Sequence, residues 1–216
     1  MSEAPRYPGY DVLAKRGTPS WNRATREAVD RRLATPLEPR CLSAARFAVA
    51  DALCRRLLPQ PAGRAAVPLA AMLDAKLLAG ASDGTRTADM SYNREAWEKS
   101  LDALDASARM RHPGYGFADL DAAAQDALIA AMQAGDLHDP SWNDVPPAKA
   151  FSRVMLPDVS ALYYSHPTAW SEIGFGGPAS PRGYLRLEGG LRDPWEAVEA
   201  TPGRDAKARA ENLRVV

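Results

Sequence analysis

The 216 residues, 46% hydrophobic and 25% charged, are enough to bury a core without staples, so a chain disordered throughout is excluded. Lys+Arg and Asp+Glu are equal at 27 each, which leaves no net field to gather phosphate backbones or anionic lipid, and nucleic acid is a poor partner. Cys41 and Cys54 form no C-x-x-C or C-x-x-C-H arrangement, which removes zinc ribbons, thioredoxin-type redox motifs and covalent haem attachment.

The first 19 residues hold Pro5, Pro8, Gly9, Gly17 and Pro19 without any period and read as an irregular arm, with Tyr7 and Tyr10 available to dock it. A first helix is predicted from about Ser20 to Leu33, where Trp21, Thr25, Ala28, Val29 and Leu33 recur at helical spacing. Arg31-Arg32 lies inside that pattern and is followed by Leu33-Ala34-Thr35-Pro36, so it reads as a solvated helix face and not as a twin-arginine signal. Ser43 is the expected N-cap of a second helix, with Phe47, Ala50, Cys54, Leu57 and Leu58 as its apolar stripe and Pro59 as its stop.

A third helix starts near Pro68 and finishes at Gly80, and a fourth opens at Ser91 and breaks at His112-Pro113-Gly114. Asp121 caps the fifth, which runs to Gly135. Pro146-Pro147 opens the sixth, with Phe151, Val154, Met155, Val159, Leu162 and Tyr163 in register and Pro157 expected to kink it. Strand-like alternation is confined to a faint trace at Tyr184-Leu185-Arg186-Leu187.

The fold class is therefore all-α: about six helices, long irregular Pro/Gly-rich arms and a C-terminal aromatic/Gly loop. The organisation read from the sequence is an arm over 1–19, a helical domain over 20–191 and a charged tail over 192–216. The tail carries five basic and five acidic residues between Arg192 and Arg214 with little apolar content. It is expected to be solvated or laid on a partner, and its removal after Ala200 to spare the helical core.

No complete catalytic or ligand set is legible in the sequence. The residues three before His112, His138 and His166 are Arg109, Gly135 and Tyr163, so the Glu-x-x-His pairs of di-metal bundles are missing. Asp136-Leu137-His138-Asp139 directly follows a helix-ending glycine and reads as loop, and no metal is expected. Gly174-Phe175-Gly176-Gly177-Pro178 has neither the spacing nor the following helix of a dinucleotide loop. Ser165, His166 and Asp158 offer a weak hydrolase reading without a strand–turn–helix context, and His166 reads better as a cap on the end of the sixth helix.

The stretch Ser160 to Tyr184 is the least random part of the chain, holding Tyr163, Tyr164, Trp170, Phe175 and Tyr184, five of the chain's aromatics. Such a cluster suits a protein interface, and suits equally a loop packing on its own helices.

The segment Tyr163-Tyr164-Ser165-His166-Pro167-Thr168-Ala169-Trp170-Ser171-Glu172-Ile173-Gly174-Phe175-Gly176-Gly177-Pro178, continuing to Pro181-Arg182-Gly183-Tyr184, resembles the C-terminal signature of the gluconate 2-dehydrogenase subunit 3 family. Ala50-Asp51-Ala52-Leu53-Cys54 through Leu57-Leu58-Pro59-Gln60 resembles that family's opening helix, and Leu104-Asp105 to Gln125-Asp126-Ala127-Leu128 its central helix pair. The resemblance implies an accessory subunit with no catalytic residue and no cofactor of its own. Its partner would be an FAD-dependent dehydrogenase of the glucose-methanol-choline type, with a cytochrome c subunit as electron acceptor.

On that reading the partner-binding residues are Tyr163, Tyr164, His166, Trp170, Glu172, Ile173, Phe175, Gly176, Gly177 and Tyr184, with Trp170 as the first anchor. The alternatives are a stand-alone helical binding module and a small hydrolase. No apolar run approaches the roughly 20 residues that span a bilayer. Met1 to Tyr10 also lacks the basic and apolar regions of an export signal. The expected location is the cytoplasm unless a partner supplies the signal.

Overall fold

The computed structural model describes residues 5–61, 64–81, 90–178, 180, 183, 192–193 and 195–215. Among the described residues there are nine helices and no β-strand, which makes the fold all-α. The faint alternation at 184–187 lies outside the described residues.

Five of the expected helices are present under the caps that predicted them or close to them: α1 (Arg23–Leu33), α2 (Ala44–Leu57), α3 (Leu69–Leu78), α4 (Asn93–Arg111) and α5 (Ala122–Ala134). Ser43 accepts from the Arg46 N–H, and Asp121 accepts from the Ala124 N–H. Gly135 ends α5 at φ 82°, where a side chain would be strained.

The sixth expected helix is divided into α6 (Pro147–Lys149), a π-helical stretch Ala150–Met155 and α7 (Leu156–Ser165). Pro157 is the physical reason. It has no N–H to give, and in a straight α-helix its ring would press on the Arg153 carbonyl. The chain widens one turn ahead, so that the Leu156 N–H bonds to Phe151 O, five residues back. The remaining two helices, α8 (Pro167–Glu172) and α9 (Asp205–Asn212), fall where sequence reading placed loop and tail.

The chain forms two compact units, one of Thr35–Ala62 and Pro68–Tyr163, the other of Met1–Ala34, Gly63–Val67 and Tyr164–Val216. In the first, α2 packs on α3, α4 and α5, and α4 brings Trp97, Leu101 and Leu104 into full burial. Asp158 of α7 accepts from Lys76 Nζ (2.7 Å) and from Trp97 Nε1 (2.8 Å), a buried pair that ties α7 to α3 and α4. Asp74 accepts the N–H groups of Arg40, Cys41 and Leu42, fixing the turn that leads into α2.

Cys54 lies on the buried side of α2, and burial pushes its thiol up to about 12. Cys41, half-buried, is raised as well, again through burial first. A thiol reagent at mildly alkaline pH is therefore expected to label Cys41 first and Cys54 only after denaturant is added. Equal labelling rates in the native chain would contradict this burial.

The second unit has a core of Tyr10, Val12, Trp21, Val29, Trp170 and Val215, with Tyr7, Leu13 and Ala197 packed against it. Both chain ends thus enter the core around α8. Val12–Gly17 is a 3-10 helix capped by Asp11. In the 192–216 segment, which sequence reading gave little to bury, α9 buries Ala208 and Asn212, and Val215 follows into the core.

Candidate partner-binding surface

Tyr163 is buried near the end of α7, and Tyr164, the next residue around the helix, is 50% exposed. Pro167 forces the residue before it out of the α region. His166 accordingly stands at φ −87°, ψ 134° and becomes the N-cap of α8, its Nδ1 accepting from the Thr168 N–H at 3.3 Å. The capping expectation is thereby corrected: the imidazole receives a donor at the start of the next helix and does not meet carbonyls at the end of the previous one.

Burial, and secondly the charge of Arg32, hold His166 below its ordinary value of 6.5. The fold favours the neutral ring. As pH falls through 6.5 the unfolded chain takes up a proton that the folded chain refuses, so this contribution is full above 6.5 and is lost on acidification through the lowered folded value. His166→Asn keeps an N-cap acceptor that does not titrate. It is expected to flatten the dependence of melting temperature on pH between about 7 and 5. An unchanged slope would remove His166 as its source.

α8 places Trp170 inward at 3% exposure. Its indole N–H donates to Tyr164 O at 2.7 Å, the Phe175 ring meets it edge-on at 5.6 Å, and the Arg32 guanidinium lies 5.4 Å from its ring centre. Arg32 also donates to Ser165 O. The ring proposed from sequence as the partner anchor is thus spent on its own unit.

The chain leaves α8 through a Schellman turn: Gly174 takes φ 70° and the Phe175 N–H reaches back to Trp170 O at 2.9 Å. Gly174 has a second reason to lack a side chain, because the Tyr7 ring lies about 2.6 Å from where a Cβ would stand. Gly177, at φ 72°, is approached less closely, by Trp21 and Val12 at 3.0 and 3.1 Å from where a Cβ would stand. The glycines of this loop therefore serve packing against the N-terminal segment, not a phosphate.

That segment also holds the loop by hydrogen bonds. The Tyr10 hydroxyl donates to Phe175 O (3.2 Å), the Val12 N–H to Ser171 Oγ (3.1 Å) and Lys15 Nζ to Gly176 O (3.1 Å). Lys15 itself is fully buried and also donates to Tyr10 Oη and to Trp195 O. The sequence marks the two tyrosines, Ser171 as part of the family segment and Arg32 as part of a solvated helix face, and gives no signal for Lys15. A lone lysine in an aperiodic arm reads as solvated.

Of the residues named from sequence, Tyr163, His166, Trp170 and Gly177 are buried, Glu172 and Gly176 are half-buried, and Tyr184 lies outside the described residues. Tyr164, Ile173 at 41% and Phe175 at 38% remain as apolar side chains open to a partner. Both Asp158 oxygens are held by Lys76 and Trp97, and His166 Nδ1 by its cap. Asp139, in the stretch read as loop from the sequence, accepts from the hydroxyls of Ser107 (2.6 Å) and Ser141. Among the described residues no helix is long and apolar enough to cross a membrane.

No curated protein and no solved structure matches the chain. A family model does, over residues 44–177, more than half of the length and ending within the glycine loop just described. By that match the chain belongs to the family described as gluconate 2-dehydrogenase subunit 3.

Proposed function

We propose that this chain is a non-catalytic small subunit that binds and stabilises an FAD-dependent dehydrogenase of the glucose-methanol-choline type, acting on an alcohol or sugar. The family match carries the reading: its description is that of a dehydrogenase subunit, and the matched stretch includes α8 and its loop. Two features of the unit support it. Tyr164, Ile173 and Phe175 are exposed on a short stretch stiffened by a capped helix and a Schellman turn, and aromatic groups held rigidly lose little entropy on docking. Of the groups from which a hydrolase would be built, Asp158 is held by Lys76 and Trp97 and His166 Nδ1 by the Thr168 N–H.

A tagged chain purified from its native cell is expected to bring down a flavoprotein in fixed proportion, recognised by flavin absorbance and by alcohol or sugar oxidation with an artificial electron acceptor. Phe175→Ala should release that flavoprotein on a sizing column while the chain itself stays folded, because a ring at an interface commonly contributes about 2 kcal/mol or more. A monodisperse chain that never retains a flavoprotein would favour the stand-alone binding module. Unaided ester hydrolysis would favour the hydrolase.

A further inference from the structure

We propose that Lys15 is a positioning residue for the exposed loop: buried among three chain segments, its ammonium holds the Phe175–Gly176 backbone in the form that presents Phe175 and Ile173. The inference rests on the docking reading above. It adds that the docking loop is set by a residue that no partner can touch, in a segment that lies outside the family match over 44–177.

The geometry has three parts. An ammonium has three protons and no acceptor, and among the described residues Lys15 Nζ donates to three oxygens: Tyr10 Oη at 3.2 Å, Gly176 O at 3.1 Å and Trp195 O at 2.5 Å. These acceptors belong to the N-terminal segment, to the loop and to the C-terminal segment. A fully buried cation persists only when its hydrogen-bonding capacity is met, so the three segments are held to one arrangement as long as the ammonium is there.

Next, Tyr10 relays the constraint by one residue. Its hydroxyl accepts from Lys15 and donates to Phe175 O at 3.2 Å, so the successive carbonyls of Phe175 and Gly176 are both turned toward the N-terminal segment. With those carbonyls fixed, the Phe175 side chain is left on the outer side, edge-on to Trp170 and 38% exposed.

Finally, the loop depends on external hooks. Gly174, Gly176 and Gly177 flank Phe175, and glycine loses more freedom on ordering than any other residue. A free loop of this composition would sample many forms, and ordering it on the partner would weaken docking.

The test uses the full chain and the flavoprotein that co-purifies with it. Lys15→Met keeps the stem and removes the charge, and Tyr10→Phe removes only the hydroxyl. Either variant is expected to accelerate amide hydrogen exchange at residues 174–177 while α2, α4 and α5 exchange as before. Each should also weaken flavoprotein binding by about tenfold, the cost of ordering a loop that was previously fixed.

A double-mutant cycle separates positioning from plain stability. If Lys15 acts through the ring it presents, Phe175→Ala should weaken binding far less in the Lys15→Met or Tyr10→Phe background than in the natural one. If Lys15→Met does not fold, Tyr10→Phe carries both measurements alone. Unchanged exchange at 174–177, or additive effects with Phe175→Ala, would overturn the inference while leaving the docking reading intact. Full flavoprotein binding by Phe175→Ala in the natural background would instead overturn the docking reading at that residue.

Discussion

Trp170→Ala is expected to destabilise the chain by about 3–5 kcal/mol, because it removes a buried aromatic and leaves a cavity in the core. Trp170 is enclosed by the cluster of Tyr10, Val12, Trp21, Val29 and Val215. Its indole N–H donates to Tyr164 O near the end of α7, a bond that the substitution removes. The substitution also takes away the surface on which Phe175 and Arg32 rest. Denaturant unfolding should show a large fall in midpoint and near-ultraviolet circular dichroism a loss of aromatic signal. Phe175→Ala, by contrast, trims a partly exposed ring and should cost about 1 kcal/mol or less. A Trp170→Ala chain with an unchanged midpoint would return Trp170 to the surface role that its sequence position advertised.

Much of the first unit is legible in the sequence because its helices announce themselves locally. Ser43, Asp121 and Gly135 act where their side chains, or the lack of one, predict. The π-helical stretch is less legible. Pro157 signals a break, but only backbone geometry decides between a kink and a widened turn. α8 is six residues long, too short for a periodic signal, and its N-cap is a histidine instead of the usual Ser, Thr, Asp or Asn.

The second unit is hardest to read because its core is assembled from the two chain ends. Tyr10 and Val12 show no helical or strand period, so pattern reading placed them in an arm, yet their hydrogen-bond partners Phe175 and Ser171 lie more than 150 residues away. The exposed candidates were legible as a cluster. Which rings point outward was not, since Trp170 and Phe175 differ only in which side of a Schellman turn they occupy.

Truncation after Ala200 is expected to destabilise the unit that carries α8 by about 4–5 kcal/mol, contrary to the solvated tail that composition implies. Asp205, Lys207 and Arg209 of α9 are exposed and Glu211 is half-buried, which is why composition misleads; the groups that matter are Ala208, Asn212 and Val215. Asn212 Nδ2 donates to Pro8 O (3.0 Å) and Val198 O (2.9 Å), and its Oδ1 accepts from the Val198 N–H (2.6 Å). One amide thus joins the N-terminal segment to the strip around Val198. Losing these three bonds costs about 1 kcal/mol each. Exposing the core face that Val215 covers adds about 1.5–2 kcal/mol. Gly9 also packs closely on Arg209 and Leu213, so the turn that leads to Tyr10 loses its support. The truncated chain should keep the helical circular dichroism of α2 to α5 and lose thermal stability and exchange protection at residues 7–15 and 166–177. Asn212→Ala alone should reproduce about two thirds of the loss. A truncated chain that melts with the full one and protects the same amides would show that α9 is dispensable.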